Sequence, residues 1–231
     1  MIDAVGSIAV EEIGRALAEP VRLRILVELL GGPPLPAGAL AVRVGVAPST
    51  VSAHLARLED AGLIALERQG RARLARLAGP EVADAVESLL RLTGEAPVSS
   101  WSAHDRRTAM RAARSCYDHL AGRAGVGLAD AILERGWVMD GDGVWSAAAG
   151  APEGISALLG IPVEVATSRR PILRPCADWT ERRPHIAGRL GEALLSGMLA
   201  ADWLRRRRDD RALTITPRGR EGLAALAIDG V

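Results

Sequence analysis

Apolar residues recur at helical spacing from the start of the chain. Ile2, Val5, Ile8, Ala9, Ile13 and Leu17 predict an amphipathic first helix. Pro20 suits a first helical turn and opens a second helix through Val21, Leu23, Ile25, Leu26 and Leu29, which Gly31-Gly32-Pro33-Pro34 stops. A short helix follows near Pro36 to Val44, and Gly45 supplies a turn. Pro48 starts another helix that reaches about Ala61, where Gly62 ends it. The period then changes. Leu63 to Arg68 reads as a strand, Gln69-Gly70 as a turn, and Arg71 to Leu77 as a returning strand alternating arginine with apolar residues. Pro80 opens a further helix with Val82, Val86, Leu89 and Leu90 expected inward. These elements make a first domain of residues 1–93. Residues 94–101, with Gly94, Pro97, Ser99 and Ser100, read as a linker.

Residues 102–231 carry a weak internal repeat. His119-Leu-Ala-Gly122-Arg123 is similar to His185-Ile-Ala-Gly188-Arg189. In that register Gly125 matches Gly191, Leu128 matches Leu194, and Trp137 matches Trp203. Each copy is expected to be helical and then to enter a hairpin, at Asp140-Gly141-Asp142-Gly143 and at Arg208-Asp209-Asp210-Arg211. Closing helices are expected at Ala151–Leu159 and Pro217–Ala227. The pattern predicts a mainly α protein with small antiparallel β-hairpins and a duplicated C-terminal domain.

Composition narrows the picture only a little. The formal net charge is +1, so any nucleic-acid footprint must come from local placement of charge. Every basic residue outside histidine is arginine, so arginine richness alone reflects codon bias as readily as DNA. Two cysteines are too few for a secreted disulfide framework. The N-terminal stretch lacks the basic start of a secretory signal, and no apolar run suits a membrane helix. A cytoplasmic protein is expected.

The helix after Gly45 carries chemistry. Val51, Leu55 and Leu58 share one face and anchor it to the core. Ser49, Thr50, Ser52, Ala53 and Arg57 point largely elsewhere. Small hydroxyl residues in a first helical turn allow close approach to a major groove, and Arg57 suits phosphate or guanine. His54 flanks the apolar face, where it would bond a phosphate or sit against the core. The hairpin adds Arg68, Gln69, Arg71, Arg73 and Arg76. Alternation places Arg71 and Arg73 on one side, suited to backbone or minor-groove contact.

On these residues the chain resembles the ArsR family of winged helix-turn-helix repressors. The resemblance runs through Ala16–Leu26, Val44–Leu55, Leu58–Ile64 and Glu67–Arg71. It implies a homodimer on double-stranded DNA, each recognition helix in one half-site of a roughly palindromic operator. It also implies that residues 2–17 and 80–93 build the dimer interface. Departures are visible. Ala47 stands where a serine or threonine N-cap is expected. The short helix at Ala39–Val44 lacks the family's thiolate pair, and Glu81–Glu87 lacks the histidines of its zinc sensors.

The second half resembles the extension of longer-chain members of the family, through Ser115–Gly122 and Arg174–His185. Dimer support and effector sensing are the expected roles, the effector being a small molecule or a metal. Cys116 and His119 lie three apart, and Cys176 with His185 would complete a Cys2His2 set suited to zinc or copper(I). The spacing of the second pair is unusual, and buried cysteine is common as packing, so core packing is the favoured reading and no cofactor is assigned. Asp118, Asp178 and Glu181 suggest acid–base work, but Asp178 and Glu181 lie beside Arg174, Arg182 and Arg183, and structural ion pairs explain them more simply. Trp101 and Trp179 are read as core rather than a ligand pocket. The Arg205–Arg208 run is read as a solvated wing. The sequence predicts a DNA-binding, non-enzymatic regulator, weighed against two alternatives, a winged-helix interaction module that does not bind DNA and a small-molecule-modifying enzyme that keeps a vestigial helix-turn-helix.

Overall fold

The structure is a computed structural model. It describes residues 4–70, 72–92, 101–208 and 210–230, with side chains from residue 10 in the first helix and from residue 104 in the sixth. Of the expected linker at 94–101, residues 94–100 lie outside the described parts, as do Arg71, Asp209 and the Trp101 side chain, and Trp101 itself begins a helix rather than ending a linker. The chain divides into two units, Met1–Val86 and Glu87–Val231.

The first unit holds α1 (Ala4–Leu17), α2 (Pro20–Leu29), β1 (Leu35–Pro36), α3 (Ala37–Val44), α4 (Pro48–Asp60), β2 (Ile64–Gln69) and β3 (Ala72–Leu77). Helix α5 (Pro80–Leu92) begins in it, and the division falls inside this helix. Glu19 caps α2 by accepting from the Arg22 backbone N–H at 2.9 Å. The Arg22 side chain turns back and donates to Ala16 O at 2.6 Å and Arg15 O at 2.8 Å, satisfying carbonyls that the end of α1 leaves open. Gly45 takes a left-handed φ of 71° and swings the chain from α3 into α4. Ile25, Leu26 and Leu29 of α2, Leu40 and Val44 of α3, and Val51, Leu55 and Leu58 of α4 are buried apolar residues of this unit. Strands β1, β3 and β2 form an antiparallel sheet in that order. The pattern missed β1, because two residues ending in proline give no alternation. Proline lacks the N–H a central strand needs and sits here at the sheet edge.

Two expectations for α5 change. Leu89 is exposed, and the inward residues are Ala83, Val86 and Glu87. Glu87 faces inward because Arg211 meets it, Nη1 to Oε1 at 2.6 Å.

The second unit continues with α6 (Trp101–Ala112), β4 (Arg114–Cys116), β5 (His119–Ala121), α7 (Gly122–Glu134), β6 (Val138–Gly141), β7 (Val144–Ala147) and α8 (Ala151–Leu159). Then come β8 (Arg174–Ala177), β9 (Pro184–Ala187), α9 (Arg189–Ala200), β10 (Leu204–Arg206), β11 (Leu213–Ile215) and α10 (Pro217–Ala224). After α6, the order hairpin, helix, hairpin, helix occurs twice. Two details make the copies equivalent. A Cβ on Gly154 of α8 would lie 2.2 Å from the Trp137 ring, and one on Gly222 of α10 would lie 2.3 Å from the Trp203 ring. In each copy an indole packs flat on a helix that must carry glycine there.

The expectation that His119 and His185 begin helices is corrected. Both lie in strands, β5 and β9, and the helices start at Gly122 and Arg189. One buried cluster joins the copies, with Leu128, Ile132 and Trp145 from the first and Leu190, Leu194 and Trp203 from the second.

Candidate functional site

Helix α4 presents two faces, as its sequence dictates. Val51, Leu55 and Leu58 are buried, while Ser49, Thr50, Ser52, Ala53 and Arg57 are exposed. Ala56 also lies on the outer face, which leaves its middle smooth enough for close approach. Ala47 is the N-cap and supplies no side-chain hydrogen bond. Pro48 at the first helical position lacks an N–H, and Val51 N donates to Ala47 O at 3.1 Å, which leaves the Ser49 and Thr50 amides between them to an outside acceptor. His54 is half-buried, with Nδ1 3.7 Å from Glu19 Oε2, so it turns to the protein. Arg57 lines a surface pocket with Glu12, Arg15 and Asp60.

The β2–β3 hairpin places Arg68 directly opposite Arg73, and Gln69 opposite Ala72. Arg68, Gln69 and Arg73 are exposed. Like charges directly opposite destabilise a ladder, and among the described residues Glu59, 3.5 Å from Arg73 Nη2, offsets this pair. Arg76 is engaged with Glu67.

A second constellation lies in the second unit. Hairpin β4–β5 pairs Cys116 with His119, and hairpin β8–β9 pairs Cys176 with His185. One donor atom from each of these four buried residues lies within 4.8 Å of the other three. Among the described residues this is the one group of histidine, cysteine and carboxylate side chains so placed. Both cysteines of the chain and two of its four histidines thus meet at one point. The unusual spacing has a plain cause. Two residues separate Cys116 from His119 and eight separate Cys176 from His185, because the second hairpin has the longer turn.

Glycines let the hairpins close on one another. A Cβ on Gly125 would lie 2.5 Å from Leu120 O and 3.6 Å from His185 Cβ. A Cβ on Gly191 would lie 2.4 Å from Ile186 O and 2.9 Å from His119 Cβ. Each copy's helix thus supports the other copy's histidine.

Carboxylates back both rings. Asp118 Oδ1 lies 3.0 Å from His119 Nδ1, and Asp178 Oδ2 lies 3.4 Å from His185 Nδ1, close but poorly aligned for a hydrogen bond. Nε2 of each ring is buried with no hydrogen-bond partner. Asp178 does not pair with Arg174, Arg182 or Arg183 as expected. It is fully buried and accepts from Arg114 Nη2 at 2.8 Å, Gly122 N at 2.7 Å, and Thr180 N, Thr180 Oγ1 and Glu181 N at 2.8, 2.7 and 3.1 Å. The longer turn brings Asp178 across to Arg114 at the base of the other hairpin. Asp118 instead meets the partly exposed Arg170 at 2.6 Å.

These neighbours set the proton inventory. Burial raises a carboxyl's pKa, but His185 and Arg114 outweigh it and hold Asp178 far below the usual range. Burial pulls His119 down, but Asp118 and Cys176 outweigh it and hold it at about 9. The contact with Cys176, and then burial, raises the Cys116 thiol. Its counterpart Cys176 is lowered by Cys116 and, against burial, by both histidines. The two thiols are thus pushed in opposite directions, Cys116 upward and Cys176 downward.

Comparison with known proteins places the chain. A helix-turn-helix domain model matches residues 17–67. The HTH-type transcriptional regulator YdfF of Bacillus subtilis is 39% identical over 214 residues, covering 91% of this chain and 93% of the relative. The HTH-type transcriptional regulator CmtR of Mycobacterium bovis is 42% identical over 84 residues, 36% of this chain and 70% of the relative. Among solved structures, the antimony-specific transcriptional repressor AntR aligns at 32% identity over 40% of this chain and 83% of its own, with a TM-score of 0.37. The molecule is a DNA-binding transcriptional regulator. The chain belongs to the ArsR family of helix-turn-helix regulators. The similarity to YdfF runs through both units. Among the described residues, no helix is long and apolar enough to cross a membrane.

Proposed function

We propose that the protein is a homodimeric, sequence-specific repressor and not an enzyme. Its first unit reads an operator, and its second unit takes up the effector that releases it. The observation that carries this reading is the outer face of α4, with Ser49, Thr50, Ser52, Ala53 and Arg57 free of the core beside the opposed pair Arg68 and Arg73. Hydroxyls and small side chains admit the helix to a major groove, and a phosphate would relieve the repulsion between the two wing arginines. Arg71, outside the described residues, adjoins them in sequence. His54 is assigned an internal role, because it faces Glu19.

Dimerisation is supported by unpartnered apolar residues on the two helices that the family resemblance assigns to the interface. Val10 and Ile13 of α1 are 57% and 37% exposed, and Leu89 and Leu92 of α5 are 38% and 83% exposed. A monomer gains nothing by presenting leucine to water at successive turns of a helix.

The test is a titration against the DNA upstream of the protein's own gene, with a scrambled duplex as control, at two salt concentrations. Tighter binding to the upstream fragment that persists at higher salt is expected. Arg68→Ala and Arg73→Ala should each lower the salt slope by about 1 if each holds one phosphate. Equal binding to both duplexes that vanishes with salt would refute operator recognition.

A further inference from the structure

We propose that Cys116, His119, Cys176 and His185 form a closed, four-coordinate site for a zinc-type divalent cation that ties the two repeats of the second unit together. The inference rests on this unit alone and stands whether or not the first unit recognises an operator.

Four observations carry it. The donors are two sulfurs and two nitrogens, the set that tetrahedral zinc takes. All four are buried, and the cluster offers a cation no bulk water. His119 and His185, 2% and 0% exposed, each keep Nε2 without a hydrogen-bond partner. Buried ring nitrogens are rarely left so, and a cation between them removes the deficit. Each Nδ1 faces a carboxylate, Asp118 or Asp178. That is the outer-shell arrangement that fixes a ligating histidine's tautomer with Nε2 toward the metal.

Charge selects the class of ion. Asp178 is paired with Arg114, and Asp118 with Arg170, so neither carboxylate is left to balance a metal. Two thiolates and a dication sum to zero, which suits a buried site, whereas a monovalent copper would leave a net buried negative charge. The ion takes the sulfurs as thiolates and the rings as neutral imidazoles, the protons these groups carry pass to solvent, and no redox change is involved. Tetrahedral zinc with these ligands has donor–donor edges of about 3.3–3.8 Å. The donors now spread to 4.8 Å, so binding draws them inward by roughly an ångström at the widest edge.

The site also differs in place from anything built on α3 or α5. Each repeat supplies one sulfur and one nitrogen from equivalent registers of its first hairpin. Neither repeat closes the site alone.

The experiment is a cobalt(II) titration of the full chain, purified with chelator and kept reduced without oxygen. One cobalt per chain is expected, with a sulfur-to-cobalt charge-transfer band and the intense d–d envelope of tetrahedral coordination, and one equivalent of zinc should displace it. Cys116→Ser should abolish the charge-transfer intensity from that ligand, and His185→Gln should weaken binding. Asp118→Asn leaves all four ligands in place and should still lower affinity about 10–100-fold. This variant lies at the surface edge of the site, so it keeps the test alive if a ligand variant misfolds. The proposal is overturned if the reduced wild-type chain binds no cobalt, or binds it with weak octahedral bands. It is equally overturned if the two thiols are found only as partners in a disulfide whose reduction creates no metal affinity.

Discussion

Replacing Arg114 by methionine tests how the second unit is held together. Arg114 is completely buried. It donates to Asp178 Oδ1 at 2.8 Å, Thr180 Oγ1 at 3.1 Å and Met110 O at 3.2 Å, and its guanidinium lies 5.0 Å from the Trp179 ring centre. Methionine fills much of the volume but strands the Asp178 charge. Breaking a buried pair costs about 3–5 kcal/mol. Asp178 keeps its bonds from Gly122, Thr180 and Glu181, so the lower end applies, about 3 kcal/mol. That is a shift of roughly 150-fold in the unfolding constant. With a urea slope near 2 kcal/mol/M, the midpoint falls by about 1.5 M. All five tryptophans lie between residues 101 and 203, so tryptophan fluorescence follows this unit and not the first. The titrations are run with chelator and reductant so that metal and disulfide do not enter. Asp178→Asn alone strands Arg114 and should cost a similar amount. The double variant should cost less than the sum by at least about 1 kcal/mol, because the second change removes the charge the first left behind. A midpoint shift under about 0.5 M, or strict additivity, would refute the reasoning.

Three further outcomes follow from the same geometry. Gly125→Ala and Gly191→Ala each push a Cβ against a backbone carbonyl, at 2.5 and 2.4 Å, and should each cost about 1–3 kcal/mol by the same fluorescence assay. Thr216 caps α10 by accepting from Gly219 N at 3.0 Å, and Thr216→Ala should cost about 1 kcal/mol in urea unfolding. Leu92→Glu places a charge on the most exposed leucine of α5, 83% accessible, and should turn a dimer into a monomer in light scattering while leaving tryptophan fluorescence unchanged.

Much of the first unit was legible because its period is clean. The turn glycines Gly45 and Gly62 and the apolar triplet Val51, Leu55 and Leu58 place α4 without ambiguity. The second unit hid its front hairpins. Strands β4 and β5 are three residues each and buried throughout, so Arg114–Cys116 and His119–Ala121 show no alternation. The strand at His119 also abuts Gly122 with no turn signal between them, so it read as the start of the helix. Residue type alone names the four-residue cluster, but the spacing of its second pair argues against it. A signal that finds it was present. Arg114-Ser115-Cys116 and Arg174-Pro175-Cys176 stand ahead of His119-Leu120-Ala121-Gly122 and His185-Ile186-Ala187-Gly188. Allowing a longer turn in the second copy aligns both cysteines and both histidines. Glu87 was unreadable for another reason. Its partner Arg211 lies far along the sequence, and no local pattern announces a carboxylate turned inward.

The unequal turns give the Cys–His cluster a sidedness. On one flank Asp178 is fully buried, held by the buried Arg114, the half-buried Thr180 and the backbone of Gly122. On the other, Asp118, Tyr117 and Arg170 are only partly covered, and the ion pair between Asp118 and Arg170 can part without unpacking a core. Whatever enters the cluster therefore enters by the short turn. The exposed flank thus bears on exchange rate as well as on affinity, whereas the buried flank bears on affinity through Asp178 alone.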